Sequence, residues 1–242
     1  MNRILIILAI TFLASCGGSK KHQKSPIDIL IRDMEDVTTF EIMLYDMQDN
    51  SGLFSSEYLH QYTIVREKDS VVVNDSTEKA EVVKVPYKTR SPWYQVSKKF
   101  FDANVNNMGM SLASRVDGGE VTKVPAPAGY NRYVGNRSYG HWGGGIWHFY
   151  GQYMFMSTMF HMMSPISYGG YNSYRSNYYG RRPYYGSSTN GRTQYGTRSS
   201  YGQKRMSNGT SRYRSSSSRR SSTGSSRSGR SSRSSGRGFG GK

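Results

Sequence analysis

The fold is decided by the stretch SPIDILIRDMEDVTTFEIMLY, residues 25–45, which joins a helix signal to a strand signal. Ser25 suits the N-cap of a helix, Pro26 suits its first position, and Asp28 completes a capping-box pattern. Apolar side chains then recur on one face of that helix, at Ile27, Leu30, Ile31 and Met34. Residues 40–45 are apolar and strand-like, and they end at an Asp/Asn-rich break. The stretch therefore predicts a helix followed closely by a strand.

Further strands are predicted downstream, because β-branched and aromatic residues recur between turn-like sequences. These segments are residues 58–65, 71–73, 81–87, 112–116 and 120–124. Asn74-Asp75-Ser76-Thr77 is a plausible turn, and Asp117-Gly118-Gly119 is a hairpin signal. No alternation of strand, helix and parallel strand appears, so the predicted fold class is α+β with a small antiparallel sheet.

A second helix is predicted to begin at Ser91-Pro92, which repeats the signal of a cap followed by proline. Its apolar face would consist of Trp93, Val96, Phe100, Phe101 and Val105. Lys98, Lys99 and Asp102 would face water. Residues 25–124 are thus expected to form a small α+β domain with two helices, and about 100 residues are enough for such a domain to fold alone.

The N-terminus has the layout of an export signal. Arg3 gives a basic start, residues 4–12 form an apolar run, and Leu13-Ala14-Ser15-Cys16 places small residues before a cysteine. The run is shorter than the roughly 20 apolar residues of a permanent span. Leu13-Ala14-Ser15-Cys16 resembles the lipobox of bacterial lipoproteins. The layout of the whole chain resembles envelope lipoproteins with a Ser/Arg/Gly-rich tail. The alternative is an ordinary signal peptide with a chance cysteine.

The resemblance implies that residues 1–15 are removed and that Cys16, acylated on its thiol and new amino group, anchors the chain in a membrane. Residues 16–24 are small, polar and basic, and would form a flexible tether. Gly17 stands where an Asp retains enteric lipoproteins at the inner membrane, which favours the outer membrane. Cys16 is the only cysteine, so the chain has no intramolecular disulfide and no cysteine metal site.

Residues 125–145 begin as a Pro/Ala-rich break and continue rich in glycine, and we interpret them as a linker. Residues 146–163 are rich in methionine and aromatic residues and are predicted to form one apolar helix. Three placements of that helix stay open: buried in or against the folded domain, lying on a membrane surface, or spanning a membrane once. A single span would leave the basic tail in the cytoplasm, as the positive-inside rule favours.

Histidine and methionine side chains in the same region suggest a second function. Imidazoles and thioethers are suitable ligands for copper, so His141, His148 and His161 are candidate metal ligands together with nearby methionines. Their spacing matches no established ligand motif, and methionine also fills irregular cores. We therefore predict no cofactor and keep copper binding in the envelope as an alternative.

Residues 164–242 contain most of the net charge. They include fourteen arginines and two lysines with no Asp or Glu, out of a formal net charge of +17 for the chain. Repeated Tyr-Gly steps with interleaved arginines occur at 168–202, and Ser, Arg and Gly dominate from residue 211 onward. Such a composition predicts a long disordered tail, because it buries too little apolar surface to offset chain entropy.

Guanidinium groups pair bidentately with phosphate, so the tail is expected to bind polyanions weakly and in a salt-dependent way. Lipopolysaccharide, cell-wall polymers and extracellular DNA are the polyanions within reach of an envelope protein. The alternative is a solvated spacer without a fixed partner. The candidate polyanion-binding residues are Arg181, Arg182, Arg205, Arg212, Arg214, Arg219, Arg220, Arg227, Arg230, Arg233 and Arg237.

The sequence holds no nucleophile elbow, phosphate-binding loop, zinc-protease motif or dinucleotide fingerprint. We therefore predict a non-enzymatic protein. The function expected from sequence is that of a lipid-anchored envelope protein with a structural or adhesive role.

Overall fold

The computed structural model describes residues 25–52, 56–74 and 79–213. The signal-like segment, Cys16 and its tether, and the Ser/Arg/Gly-rich segment 214–242 lie outside the described residues. The described chain has the predicted α+β architecture, with a five-stranded antiparallel sheet at its centre.

The sheet has the strand order β3-β2-β1-β4-β5. Its strands are β1 Phe40–Asp49, β2 Tyr58–Asn74, β3 Lys79–Val96, β4 Met110–Arg115 and β5 Ala126–Pro127. The pairing between β1 and β2 ends at Phe40 and Arg66. Beyond Arg66, β2 pairs only with β3, up to Asn74 and Lys79. The distal part of this hairpin is therefore a two-stranded ribbon that projects from the sheet.

The first helix, α1 (Pro26–Arg32), forms as predicted. The hydroxyl of Ser25 accepts a hydrogen bond from the backbone N–H of Asp28 at 3.2 Å, which satisfies one of the unpaired donors at the helix start. The same hydroxyl donates to the Asp28 carboxylate at 2.7 Å.

The predicted start of the second helix at Ser91-Pro92 is wrong. Residues up to Val96 belong to β3 and pair with β2, and α2 (Lys98–Asn104) begins after the N-cap Ser97. The Ser91 hydroxyl accepts from the backbone N–H of Tyr62 at 2.9 Å, next to the register shift between β2 and β3. A serine before a proline suits this strand irregularity as well as it suits a helix N-cap.

The reversal predicted at Asp117-Gly118-Gly119 is present, and Asp117 and Gly118 both have positive φ angles, 50° and 74°. The returning segment does not form the predicted strand 120–124. It makes one antiparallel bridge, between Ser114 and Thr122.

The two faces of the sheet carry different layers. Helices α1 and α2 cover one face and enclose a core that includes Ile27, Leu30, Phe40, Ile42, Leu44, Tyr62, Phe101 and Leu112. On the other face, Met43 and Val65 pack against an aromatic and methionine layer of Tyr133, Tyr139, Tyr153, Met156, Met159 and Phe160. Residues 125–145 therefore do not act as a linker, because they supply part of this second layer.

The single helix predicted over residues 146–163 is wrong. The segment comprises strand β7 (Ile146–Phe149), a 3₁₀ turn over Gly151–Tyr153 and the short helix α3 (Phe155–Met159). β7 pairs with β6 (Gly140–Gly143) across a turn of two positive-φ glycines, Gly144 and Gly145. Among the residues that the structure describes, no helix has the length and hydropathy to cross a membrane.

The predicted disordered tail also needs correction, because residues 164–213 are folded. They form α4 (Tyr168–Asn177), the hairpin of β8 (Ser188–Thr189) and β9 (Arg192–Thr193), and α5 (Ser200–Ser207). Their tyrosines complete a third cluster around Tyr130, whose ring meets those of Tyr171, Tyr174 and Tyr195 edge to face at 5.4–5.6 Å. The hydroxyls of Tyr130 and Tyr195 are hydrogen-bonded to each other.

Candidate functional site

The last described segment is attached to the sheet through one buried carboxylate. Asp46, at an irregularity in β1, accepts hydrogen bonds from the backbone N–H of Arg212 at 3.0 Å and from the hydroxyl of Ser211 at 2.5 Å. The Arg205 guanidinium lies 3.6 Å from Oδ2 of this carboxylate, the oxygen that also accepts from Arg212, and both side chains are buried. The chain therefore enters residues 214–242 from a fixed point beside β1.

Arg205 is a structural residue, which corrects its assignment as a polyanion-binding residue. Its guanidinium donates to the carbonyl oxygens of Tyr45 and Thr210, and it lies 3.9 Å from the centre of the Tyr45 ring. Only 7% of the residue is exposed. Arg212, unlike Arg205, is exposed; its guanidinium donates to Gln48 at 3.1 Å and lies 5.1 Å from the centre of the Trp93 ring.

In contrast to Arg205, Arg181 and Arg182 are exposed, and they lie in the loop after α4. Arg182 lies over the ring of Tyr178 at 4.4 Å, and Arg181 donates to the carbonyl of Ser176 at 3.3 Å. Arg175 on α4 is exposed as well and lies over Tyr179 at 4.1 Å. Within the described residues none of these three arginines pairs with a carboxylate. We call Arg175, Arg181 and Arg182 the α4 basic patch.

The remaining predicted polyanion-binding residues lie outside the described residues, as does the lipidation residue Cys16. These arginines are Arg214, Arg219, Arg220, Arg227, Arg230, Arg233 and Arg237. Segment 214–242 contains seven arginines and one lysine, with no Asp or Glu. Arg181 and Arg182 in the α4 basic patch, together with Arg212, are therefore the exposed residues of the predicted cationic surface that the structure describes.

The three candidate metal ligands separate into two places. His141 and His148 are cross-strand partners in the β6–β7 hairpin, both exposed, with stacked rings whose centres lie 5.7 Å apart. A Cβ built at Gly143 would lie 3.7 Å from Nε2 of His141 and 3.6 Å from Nε2 of His148, so both nitrogens face the same side. No group of three or more His, Cys, Asp or Glu side chains with metal-binding geometry occurs in the described residues.

His161 is removed from that pair and sits in a cationic environment. Its ring stacks on Tyr201 at 4.1 Å, and burial lowers its pKa to about 4, with Lys88, Arg205 and Arg90 adding to the effect. The neutral imidazole thus lies beside several fixed cations. Arg90 lies over one side of the Tyr45 ring, which Arg205 also contacts.

Sequence reasoning missed Asp46, Lys88 and Arg90. A signal for Asp46 existed, since a single acidic residue stands between apolar residues in LYDM, at positions 44–47. We interpreted that residue as the end of the strand. Lys88 and Arg90 gave no signal, because isolated cations in a strand are ordinary on a solvated face.

No family model, no curated protein and no solved structure matches this chain. The functional argument therefore depends on the chain's own residues.

Proposed function

We propose that this chain is a lipid-anchored protein of the bacterial cell envelope, which contacts anionic polymers through residues 214–242 and the α4 basic patch. The observation that carries the proposal is the attachment at Asp46. It holds Ser211 and Arg212 against β1, a few residues before a segment with seven arginines, one lysine and no acidic residue.

The charge distribution supports a polyanion as the partner. No Asp or Glu follows Glu120, so the second half of the chain offers no carboxylates to neutralise its own arginines. Arginine pairs bidentately with phosphate and carboxylate groups, and it stacks on aromatic rings. Binding dominated by such contacts weakens steeply as salt is added.

Lipid anchoring is supported by Leu13-Ala14-Ser15-Cys16 behind the apolar run. Two or three acyl chains on Cys16 make attachment stable, whereas one chain alone binds only marginally. A Cys16→Ser variant should stay unprocessed and leave the membrane fraction. Unchanged mass and fractionation would remove this part of the proposal.

The test of polyanion binding compares the mature chain with a truncation after Tyr213, because residues up to 213 belong to the fold. The truncated form should be retained less on a lipopolysaccharide resin than the mature chain. Its retention should equal that of a full-length variant in which the seven tail arginines are replaced by Gln. Arg181→Gln with Arg182→Gln should lower retention further. Equal retention of all forms at low salt would refute the proposal.

Copper binding is a second candidate function, favoured by the His141–His148 pair. Two imidazoles on one face of a hairpin supply two ligands, and water completes the coordination. Titration with Cu²⁺ should show one site that His141→Gln or His148→Gln removes. His161→Gln is the control, because that ring is stacked on Tyr201 elsewhere. The same copper stoichiometry in all three variants would exclude the β6–β7 hairpin as the copper site.

A further inference from the structure

Exposed apolar side chains are concentrated in one part of the sequence. Of the nine large hydrophobic residues that are strongly exposed among the described residues, six lie between positions 146 and 168: Ile146, Tyr150, Met154, Phe155, Met163 and Tyr168. Met154, at the start of α3, is 66% exposed, and Phe155 in the first turn is 42% exposed. Clustered exposure of this kind is characteristic of contact surfaces.

Beside these residues, a groove of about 450 Å³ runs between α3 and the edge strand β3. It is lined by Pro86, Tyr87, Lys88, Phe155, Thr158 and Met159. β3 is the outermost strand of the sheet, so no further strand of the described chain pairs with its outer edge. The apolar wall formed by α3 therefore lies open next to the sheet edge.

One cation, Lys88, lines this groove, and Arg90 lies two residues further along the same strand. Lys88 pairs in register with Val65, and Arg90 with Thr63, which places both cations on the face of the sheet that α3 covers. Both are exposed, and neither pairs with a carboxylate in the described part of the chain. The carboxylates on the same face of β2 have other partners, because Glu67 pairs with Arg132 and Asp69 with Lys84.

We propose that this surface, defined by Met154, Phe155, Lys88 and Arg90 and called the α3 face, lies against an anionic lipid bilayer. Apolar side chains next to cations are the two elements that hold amphipathic surfaces in the headgroup region. Anionic headgroups complement Lys88 and Arg90, and the acyl boundary accommodates Met154 and Phe155.

This inference goes beyond the proposed anchor and basic tail, because it assigns a membrane contact to the folded part itself. A second copy of the chain is the rival occupant. It is disfavoured by charge, because two copies of the α3 face would bring Lys88 and Arg90 together, and the nearby carboxylates of Glu67 and Asp69 already pair with Arg132 and Lys84.

The first test measures partition of the mature chain, carrying Cys16→Ser, into phosphatidylcholine vesicles with and without phosphatidylglycerol. Met154→Asp is compared with Val82→Asp, since both residues are 66% exposed and both changes add one negative charge. Val82 lies on the projecting ribbon. Met154→Asp should lower the partition coefficient about tenfold more than Val82→Asp, because a buried methionine contributes roughly one order of magnitude. Equal losses would overturn the proposal.

The second test uses the cysteine-free background that Cys16→Ser provides. A polarity-sensitive fluorophore on Met154→Cys should shift its emission to the blue when phosphatidylglycerol vesicles are added, while the same label on Val82→Cys should not. A shift at position 154 that grows with protein concentration in the absence of vesicles would assign the α3 face to self-association and overturn the bilayer contact.

The third test separates headgroup contact from general charge. Lys88→Gln should weaken binding to phosphatidylglycerol vesicles more than Lys99→Gln, an exposed lysine on α2 across the sheet. Equal effects would leave only non-specific attraction and count against the proposal. All variants lack the anchor and keep the basic tail, so failure here leaves the proposed lipidation and polyanion binding to their own tests.

Discussion

The guanidinium of Arg205 lies 3.6 Å from the carboxylate of Asp46, with both side chains buried, so an arginine of the basic half of the chain is part of the protein core. The pair joins residues far apart in the sequence. It connects α5 to the central strand β1, and through Ser211 and Arg212 it fixes where residues 214–242 begin. This contact distinguishes Arg205 from the exposed arginines around it in sequence.

Replacing Arg205 should therefore destabilise the fold, whereas replacing Arg181 should not. Arg205→Met leaves the Asp46 carboxylate buried without its cation, and removing one partner of a buried pair costs about 3–5 kcal/mol. Arg181→Met changes an exposed side chain and should alter the free energy of unfolding by less than about 0.5 kcal/mol. Urea unfolding of both variants measures the difference, and equal midpoints would show that Arg205 is not structural.

Glycine at position 196 should be required for packing rather than for backbone conformation alone. A Cβ there would lie 2.2 Å from the carbonyl oxygen of Asn106, and the φ angle is +85°. Gly191, in the β8–β9 turn, has a similar φ of +73° but open space around it. Gly191→Ala should cost about 1 kcal/mol through backbone strain. Gly196→Ala should cost about 2 kcal/mol more, because overpacking adds to that strain. Thermal unfolding of the two variants compares them directly, and equal losses would show that packing is not the cause.

The Tyr-Gly steps explain why composition misled the prediction for residues 164–213. Composition rules count tyrosine as a weak core former because of its hydroxyl. Here the hydroxyls of buried tyrosines find partners, for example Tyr184 with the carbonyl of Gly170 at 3.0 Å and Tyr185 with Asn107 at 2.7 Å. The glycines that follow tyrosines at 180, 186 and 196 all have positive φ and turn the chain. A sequence that looks repetitive thus combines ring burial with tight turns.

Local signals predicted those elements whose partners are close in sequence. Ser25 and Asp28 lie within one helical turn, so the cap of α1 could be predicted. Residues 146–163 are mostly apolar, and no periodicity in them distinguishes a helix from a hairpin followed by a short helix. Asp46 and Arg205 are 159 positions apart in the sequence, so no local pattern could pair them. The candidate site was therefore predicted only in its exposed arginines.

Glu41 should make the fold less stable as the pH rises. Its carboxylate is buried on β1 and accepts from the backbone N–H of Gly129 at 2.9 Å, and burial raises its pKa to about 7. The pKa of Glu41 in the folded state exceeds its value in the unfolded state. The free energy of unfolding is therefore highest at low pH and falls by about 3 kcal/mol between about pH 4.5 and 7.

Glu41→Gln should remove this pH dependence while keeping an oxygen for Gly129. Urea unfolding at pH 5 and pH 8 measures it, and Glu35→Gln, on an exposed residue, is the control. The wild-type protein and Glu35→Gln should both lose stability between these pH values, and Glu41→Gln should lose much less. An unchanged slope in Glu41→Gln would show that Glu41 is not the titrating group.

His60 should make the fold less stable as the pH falls, which is the opposite of the effect of Glu41. The residue is fully buried, its Nδ1 lies 3.2 Å from the Tyr62 hydroxyl, and its ring packs against Phe100 and Phe101. Burial lowers the pKa of His60 to about 4, below the unfolded value, so the folded state holds a neutral ring. Stability is therefore present above about pH 6.5 and is lost as the pH falls towards 4, again by about 3 kcal/mol.

The check is a two-dimensional NMR titration of the histidine rings together with unfolding at pH 7 and pH 4.5. Protonation of the His60 ring should coincide with loss of the folded signals. His60→Gln, which cannot be protonated, should flatten the acid limb of the stability curve, although His161, also with a pKa lowered to about 4, retains part of it. If His60→Gln loses as much stability as the wild-type protein between the two pH values, the buried imidazole does not control acid unfolding.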